Sequence, residues 1–324
     1  MVSKNLRFSK DFNLPVNIFN DEMFAYYRNL YDFWPINEEK LMDKAIEELG
    51  GVEKFLEYCG NVRDAAINGV MESEAYKKFN NMDMSVYSID KVFAENGIEN
   101  LNMGERSCFS NETDGKIFIS VDLKKANFQA MKYAGVIDFY SYEDFVNHFA
   151  GDCKLANDYI SRSKYLRQVI FGKMNPKRTI TVERYITAKI CCYLTSLFKW
   201  DGYELFSFNN DELIYSEIPN EKHTFFEYEE LHDLEMSIKS MFGIDVRIEF
   251  IRVKKLDIVN SHGSQVDAYV RYNFITGENV LKKASTTFYP QIYKLWHGMN
   301  IVKEDMTFFF EDQLATFNEP LILK

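Results

Sequence analysis

The sequence predicts an α+β fold in which a split β-α-β-β-α-β unit lies between a helical N-terminal part and a mixed C-terminal part. Residues 116–122 are an apolar, β-branched run, typical of a strand covered on both faces. Residues 202–208 and 213–218 read as the two strands of a hairpin, and residues 244–253 alternate apolar with polar side chains. Helical patterns separate these strands. In a split unit of this order, the first and third strands are antiparallel neighbours.

Composition limits the function classes. The chain has 324 residues, 46% of them hydrophobic, with 28 Phe and 20 Tyr, which is enough for sizeable cores in two or three domains. A net charge of −11 excludes a surface that is basic throughout, so any contact with nucleic acid needs a local basic stripe. The five cysteines show no CxxC spacing and no run reaches the ~18 apolar residues of a membrane span. We therefore expect a cytoplasmic protein without a zinc site, disulfides or membrane partner.

The first 84 residues are predicted to form a helical N-terminal module. Asn20 and Asp21 cap one apolar-periodic run, and Gly50 and Gly51 end another. The aromatic residues of this module recur at helical spacing, which indicates core packing more than a binding surface. Residues 85–115 are weakly patterned and are predicted to be a connector.

Asp122 ends the predicted strand over 116–122, directly before a helical pattern that closes at Gly135. An acid at the end of a buried strand lies at a sheet edge, where ligands commonly bind. The alternative is that Asp122 only caps the following helix. A short amphipathic helix is predicted next, over residues 141–150.

Residues 161–178 form a basic segment inserted in the predicted catalytic domain, 116–253. Its 18 residues hold six cations and no acid, which suits contact with the phosphates of a nucleic-acid backbone or a triphosphate. The alternative is a solvated face whose counterions come from neighbouring acids. The six cations are Arg162, Lys164, Arg167, Lys173, Lys177 and Arg178.

The predicted hairpin carries Asp211 and Glu212 at its bend, after two asparagines that favour a turn. Pairing of the first and third strands would bring Asp122 beside these acids, although 89 positions separate it from Asp211. Three carboxylates at one edge repel each other unless cations are bound, so we expect Mg²⁺ or Mn²⁺ there. Together with a basic stripe, such a site suits two-metal phosphoryl or nucleotidyl transfer.

Residues 254–324 are predicted to be a mixed C-terminal module. A strand is expected within residues 266–275, and aromatic helical pieces are expected over 288–298 and 306–317.

Two of these motifs resemble the palm domain of nucleic-acid polymerases. ISVDLKKANF, residues 119–128, is similar to the first palm motif, and NNDELIY, residues 209–215, is similar to the third, especially the His-Asp-Glu version of family A DNA polymerases. The resemblance spans residues 117–217. It implies a ferredoxin-like palm, with Asp122, Asp211 and Glu212 as catalytic and metal-binding residues.

The same resemblance implies a nucleoside triphosphate and a DNA or RNA template and primer as partners. Asn127 falls where polymerases sense the sugar 2′ position, and Arg167 and Lys173 are the foremost candidates to hold the triphosphate. The full set of implied nucleotide-binding residues is Lys125, Asn127, Lys164, Arg167, Lys173, Lys177 and Arg178. The two motifs are also similar to those of reverse transcriptases and of tRNA-His guanylyltransferases, and less so to cyclase-type palms. A non-catalytic module that binds nucleic acid or protein is the alternative from another class.

Overall fold

The computed structural model describes residues 3–98, 106–219, 221–310 and 313–324, and it has an α+β fold. The helices are α1 (Lys4–Asp11), α2 (Asp21–Leu30), α3 (Ile36–Leu49), α4 (Val52–Glu72), α5 (Glu74–Asn81), α6 (Ile89–Glu95), α7 (Ala126–Tyr133), α8 (Tyr142–Phe149), α9 (Lys154–Arg162), α10 (Lys164–Gly172), α11 (Pro176–Trp200), α12 (Tyr228–Phe242) and α13 (Tyr289–Trp296). The strands are β1 (Ile117–Leu123), β2 (Tyr203–Phe208), β3 (Glu212–Glu217), β4 (Val246–Lys255), β5 (Ile258–Val259), β6 (Gln265–Val266), β7 (Tyr269–Asn273), β8 (Asn279–Lys282), β9 (Thr307–Phe310), β10 (Gln313–Thr316) and β11 (Ile322–Leu323).

The first five helices occupy the segment that the sequence predicted to be helical. Asn20 caps α2 by accepting a hydrogen bond from the Met23 backbone N–H at 2.8 Å, and α3 ends at Gly50, which has a left-handed backbone with φ of 78°. Within the described ranges, no helix is both long and apolar enough to cross a membrane.

The predicted connector, residues 85–115, contains a helix that the sequence reading missed. In α6 the side chains of Val92 and Phe93 are buried, and the helix packs against α11. A helix of seven residues is shorter than the window of roughly 11–18 residues over which a helical period is recognised. Residues 99–105 of the connector lie outside the described ranges.

Six strands form the main sheet in the order β2-β3-β1-β4-β7-β8, and each described pairing in it is antiparallel. β1 therefore lies between β3 and β4, which confirms the predicted antiparallel pairing of the first and third strands. Helices α7, α11 and α12 follow in the predicted order, with α12 ending at the left-handed Gly243.

Alternating residues of β1 give the sheet two different faces. Ile119, Val121 and Leu123 belong to the main core, which also includes residues of the N-terminal helices, while Phe118 belongs to a second, small apolar cluster. Because successive side chains of a strand point to opposite faces, Ser120 and Asp122 lie on the same face as Phe118. We call this side of the sheet the polar face. It is the surface on which the candidate site lies.

The C-terminal part differs from one prediction. Residues 306–317 were predicted to be helical, but Thr307–Phe310 and Gln313–Thr316 are paired antiparallel strands. The helical prediction was wrong because consecutive phenylalanines and threonines fit a pleated surface better than a helix. The predicted helix within 288–298 is confirmed as α13, and the predicted strand within 266–275 is confirmed as β7.

Candidate active site

Asp122 is the penultimate residue of β1, and its two strand neighbours are charged. Its Cα partner on β3 is Glu212 and its partner on β4 is Arg247. Nη2 of Arg247 donates a hydrogen bond to Oδ2 of Asp122 at 3.1 Å. The reading of Asp122 as the cap of the next helix is wrong, because Lys125 is the N-cap residue of α7.

The hairpin turn brings the other two predicted acids to the same end of β1. Asn209 donates its N–H to the carbonyl oxygen of Glu212 at 2.9 Å and closes the turn, and the Leu123 N–H donates to the Asp211 carbonyl at 2.9 Å. The Glu212 carboxylate accepts a hydrogen bond from the Ser120 hydroxyl at 2.8 Å, on the polar face. The structure therefore assembles Asp122, Asp211 and Glu212 at one sheet edge.

Burial and mutual repulsion act on the ionisation of these acids. Partial burial raises the pKa of Asp122 to about 6, and the Asp211, Glu212 and Glu249 charges add to this effect while Arg247 opposes it. The pKa of Glu212 is also raised, by burial and then by Asp211, against the hydrogen bond from Ser120. A bound cation would reverse both shifts, because it stabilises the ionised carboxylates.

Basic and acidic side chains alternate across the rest of the polar face, and the sequence reading assigned them no role. Glu249 is buried and accepts from Nη1 of Arg271 at 2.9 Å and from Nδ2 of Asn273 at 3.1 Å. Its Oε2 also lies 3.5 Å from Nε of Arg247. The pKa of Lys282 is lowered by burial and by Arg271, against the attraction of Glu249. Strand alternation placed some of these residues on one face, but only the sheet order puts them beside Asp122.

A fourth acid, Glu183, reaches the same hairpin turn from α11. It is 6% exposed, and burial together with the Asp211 charge raises its pKa to about 7. The sequence reading missed it. The available signal was that it is the lone acid of a long helix whose neighbouring positions, Val182 and Ile186, are apolar and buried.

The donor types suit a hard cation such as Mg²⁺ or Mn²⁺, because the acids at the end of β1 and at the hairpin turn supply carboxylate oxygens. Of the described residues, no three His, Cys, Asp or Glu side chains already converge on a common point. Mg²⁺ usually keeps several waters and takes one or two carboxylates together with substrate phosphates. The arrangement suits that mode of binding rather than a cage built only from protein ligands.

Lysines line a cavity of about 530 Å³ beside the β1–α7 turn. Buried Gln129 positions this turn, since its Oε1 accepts from the Asp245 N–H at 2.6 Å and its Nε2 donates to the Asp245 and Lys124 carbonyls. The turn before β4 and the turn after β1 are therefore fixed to each other. The cavity collects cations from both turns and from the flanking helices, and the lining lysines are Lys124, Lys125, Lys132 and Lys239.

Arg167 extends this basic region from α10. Its guanidinium lies over the Tyr142 ring at 5.7 Å, and Nζ of Lys125 lies 5.5 Å from the centre of the same ring. Burial lowers the pKa of Arg167, with only partial opposition from Tyr142 and Glu143. No ion-pair partner for Arg167 lies among the described residues, and its buried Nε has no hydrogen-bond partner there. A half-buried guanidinium without a partner for its Nε is stabilised by an added anion.

The other cations of the basic segment are distributed differently. Arg162 pairs with Glu38 at 3.4 Å. Arg178 donates hydrogen bonds to the Phe79 and Met82 carbonyls at 2.9 Å each, so its guanidinium is bonded to the end of α5. Lys164, Lys173 and Lys177 are exposed and are not among the described residues lining the lysine cavity. Asn127 is half-buried at the second position of α7.

A larger cavity, of about 680 Å³, lies elsewhere between the N-terminal segment and α13. Aromatic rings line it, including Phe33 and Trp296, with Asp32 and Glu278 as its acids. Because none of its described lining residues is Lys or Arg, this cavity does not suit phosphate. Cavity size alone therefore does not indicate which cavity could hold a phosphate group.

Comparison with protein-family models, with curated proteins and with solved structures gave no match. The function has to be inferred from the chemistry of the site, since a fold alone does not determine it.

Proposed function

We propose that this protein is a metal-dependent nucleotidyltransferase that extends a nucleic-acid strand, with the main sheet serving as a ferredoxin-like palm. The observation that carries the proposal is the pairing of Asp122 with Glu212 in the β1–β3 ladder. It brings the acids of the two polymerase-like motifs to one edge. The antiparallel order β2-β3-β1-β4 is the order of a split β-α-β-β-α-β unit and supports the same assignment.

In this proposal the acids of the sheet edge hold the cations and the lysine cavity holds the triphosphate. Asp122, Asp211 and Glu212 are the candidate metal ligands, and Mg²⁺ or Mn²⁺ when bound would activate a primer 3′-hydroxyl and stabilise the pyrophosphate leaving group. Arg167, which has no ion-pair partner among the described residues, would neutralise phosphate charge. Lys125 lies at the same Tyr142 ring and is paired with the exposed Glu143, from which a phosphate would have to draw it.

Arg247 affects the ionisation of Asp122, one of the candidate metal ligands. Its guanidinium lowers the pKa of Asp122 against the effects of burial and the neighbouring acids. A metal ligand must be deprotonated, so this ion pair favours the form of Asp122 that binds a cation. A cation held by Asp122 would supply the counter-charge that Arg247 now supplies, and the Arg247 guanidinium could then contact a substrate phosphate.

The test is an incorporation assay with Mg²⁺ or Mn²⁺, each labelled dNTP and NTP, and primed and unprimed oligonucleotides. Asp122→Asn and Asp211→Asn each remove a candidate metal ligand, so we expect incorporation to fall by at least about 10³-fold. The melting temperature should stay nearly unchanged. Asp233→Asn, at an exposed position of α12, is the matched control and should retain activity. Full activity of either Asn variant contradicts the proposal.

A non-catalytic binding module is the second candidate, and one observation favours it. Asp122 is already paired with Arg247, and Glu212 is already bonded to Ser120. Such a module would bind nucleic acid in a salt-sensitive manner that EDTA does not change. If Mg²⁺ or Mn²⁺ with nucleotide does not raise the melting temperature, this second candidate is favoured. Nucleotide addition of the tRNA-guanylyltransferase type would instead appear as incorporation at a tRNA 5′ end.

A further inference from the structure

Glu183 is a buried acid with no compensating partner in the described part of the chain. Its side chain is 6% exposed, yet no hydrogen bond or ion pair reaches its carboxylate from the described residues, and burial is the main influence on it. Its carboxylate oxygens keep slight contact with solvent, and an ionised carboxylate so nearly enclosed is unfavourable relative to one in water unless a partner is present. A glutamine or leucine would occupy the same volume without this cost.

Helix α11 directs Glu183 toward the hairpin turn. The Thr187 hydroxyl, one helical turn later, lies 2.9 Å from the Asn210 carbonyl oxygen and 2.9 Å from that of Glu183. Residues four apart share a helix face, so the face that carries Glu183 also packs on the turn that presents Asp211. The Asp211 charge acts on Glu183 from this position.

A cation between these two carboxylates would account for both features. It would compensate the buried charge of Glu183 and remove its repulsion with Asp211. Two carboxylates are also the number that Mg²⁺ commonly takes from a protein, with water and phosphate oxygens completing the octahedron.

We propose that Glu183 and Asp211 together ligate one divalent cation, Mg²⁺ or Mn²⁺, at the β2–β3 turn. This inference rests on the proposed function for the purpose of the metal, but not for its binding. Glu183 is thereby a ligand supplied from the helix side of the sheet, in addition to the acids predicted from the sequence.

The test is titration of the full-length protein with Mn²⁺ in the absence of nucleotide, with free Mn²⁺ measured by electron paramagnetic resonance. We expect Glu183→Gln to weaken Mn²⁺ binding by about tenfold or more, because an amide is a poorer ligand than a carboxylate. Asp211→Asn should weaken the same site. Glu229→Gln, at an exposed position of α12, is the control and should bind as the wild type does.

Further measurements distinguish the loss of the cation site from a loss of folding and from a loss of activity. In EDTA, the melting temperature of Glu183→Gln should equal or exceed that of the wild type, because the variant removes a buried charge. The inference is overturned if the wild type binds no Mn²⁺, or if Glu183→Gln binds it with wild-type affinity. The nucleotidyltransferase proposal fails by another result, full incorporation activity in Asp122→Asn. That result does not depend on whether Glu183→Gln weakens Mn²⁺ binding.

Discussion

Asp305 and Glu183 are both buried acids, but their surroundings differ. Asp305 is 1% exposed and accepts hydrogen bonds from the Tyr26 hydroxyl at 2.6 Å, the Lys294 ammonium at 2.7 Å and the Val302 N–H at 2.7 Å. Glu183 is almost as buried and has no such partner among the described residues. A carboxylate whose bonds are made within the protein stabilises the fold, whereas one without partners indicates a ligand from outside. The same contrast separates Arg178 from Arg167.

The largest expected effect concerns Asp305. Asp305→Asn would leave the buried Lys294 ammonium without its counter-charge, so we expect the free energy of unfolding to fall by about 3–5 kcal/mol. Urea denaturation measures this change, with Glu304→Gln, at the adjacent exposed position, as the control. In the same assay Asp122→Asn should change stability by less than about 1 kcal/mol. Equal losses in Asp305→Asn and Glu183→Gln would remove the distinction between bonded and unbonded acids.

The two arginines give the next effect. Arg178→Gln loses hydrogen bonds to the Phe79 and Met82 carbonyls and should destabilise the fold by about 1–3 kcal/mol, with nucleotide affinity unchanged. Arg167→Gln loses no such bond and should instead weaken nucleotide binding by about tenfold, the equivalent of roughly 1.4 kcal/mol. Denaturation and calorimetric titration with a triphosphate separate the two outcomes. A nucleotide affinity that Arg167→Gln leaves intact would argue against phosphate binding at Tyr142.

The smallest effect is a pH dependence of stability in EDTA. The pKa of Glu183 is raised to about 7 in the fold, so between about pH 5 and pH 7 the folded protein holds a proton that the unfolded chain has already released. Stability from this group is thus present at low pH and is lost as the pH rises. We expect a fall of about 1–3 kcal/mol between pH 5 and pH 8, and a smaller one in Glu183→Gln. The expectation is contradicted if the free energy of unfolding changes equally with pH in the wild type and in Glu183→Gln.

The sequence was sufficient for the part of the site that depends on strand pattern and strand order. The run before Asp122 and the hairpin acids carry strong local signals, and the order of elements allowed few arrangements. The local signal also misled where helix and strand patterns are similar, as over residues 306–317.

The rest of the site could not be predicted because it forms only through packing. The burial of Glu183 requires the hairpin to cover α11, and the Arg247–Asp122 pair requires β4 to lie beside β1. The lysine cavity is lined by Lys125 and Lys239, which are more than 100 positions apart in the sequence. Of the basic segment, residues 161–178, Arg167 lies at Tyr142, which lines the cavity, so the segment's charge pattern alone did not locate the cavity. Single-sequence patterns do not encode such side-chain convergence.

Helix α11 has a practical consequence for handling this protein. Arg178 in its first turn is bonded to the end of α5, and Thr187, about 14 Å further along the helix, is bonded to the hairpin turn. Helix α11 therefore fixes the position of the hairpin turn, and of its acids, relative to the N-terminal helices. A shortened protein that starts at residue 116 would keep every acid and cation of the candidate site. It would lose the contact with α5 that positions α11 and, through α11, the hairpin turn. Experiments on the chemistry should use the whole chain.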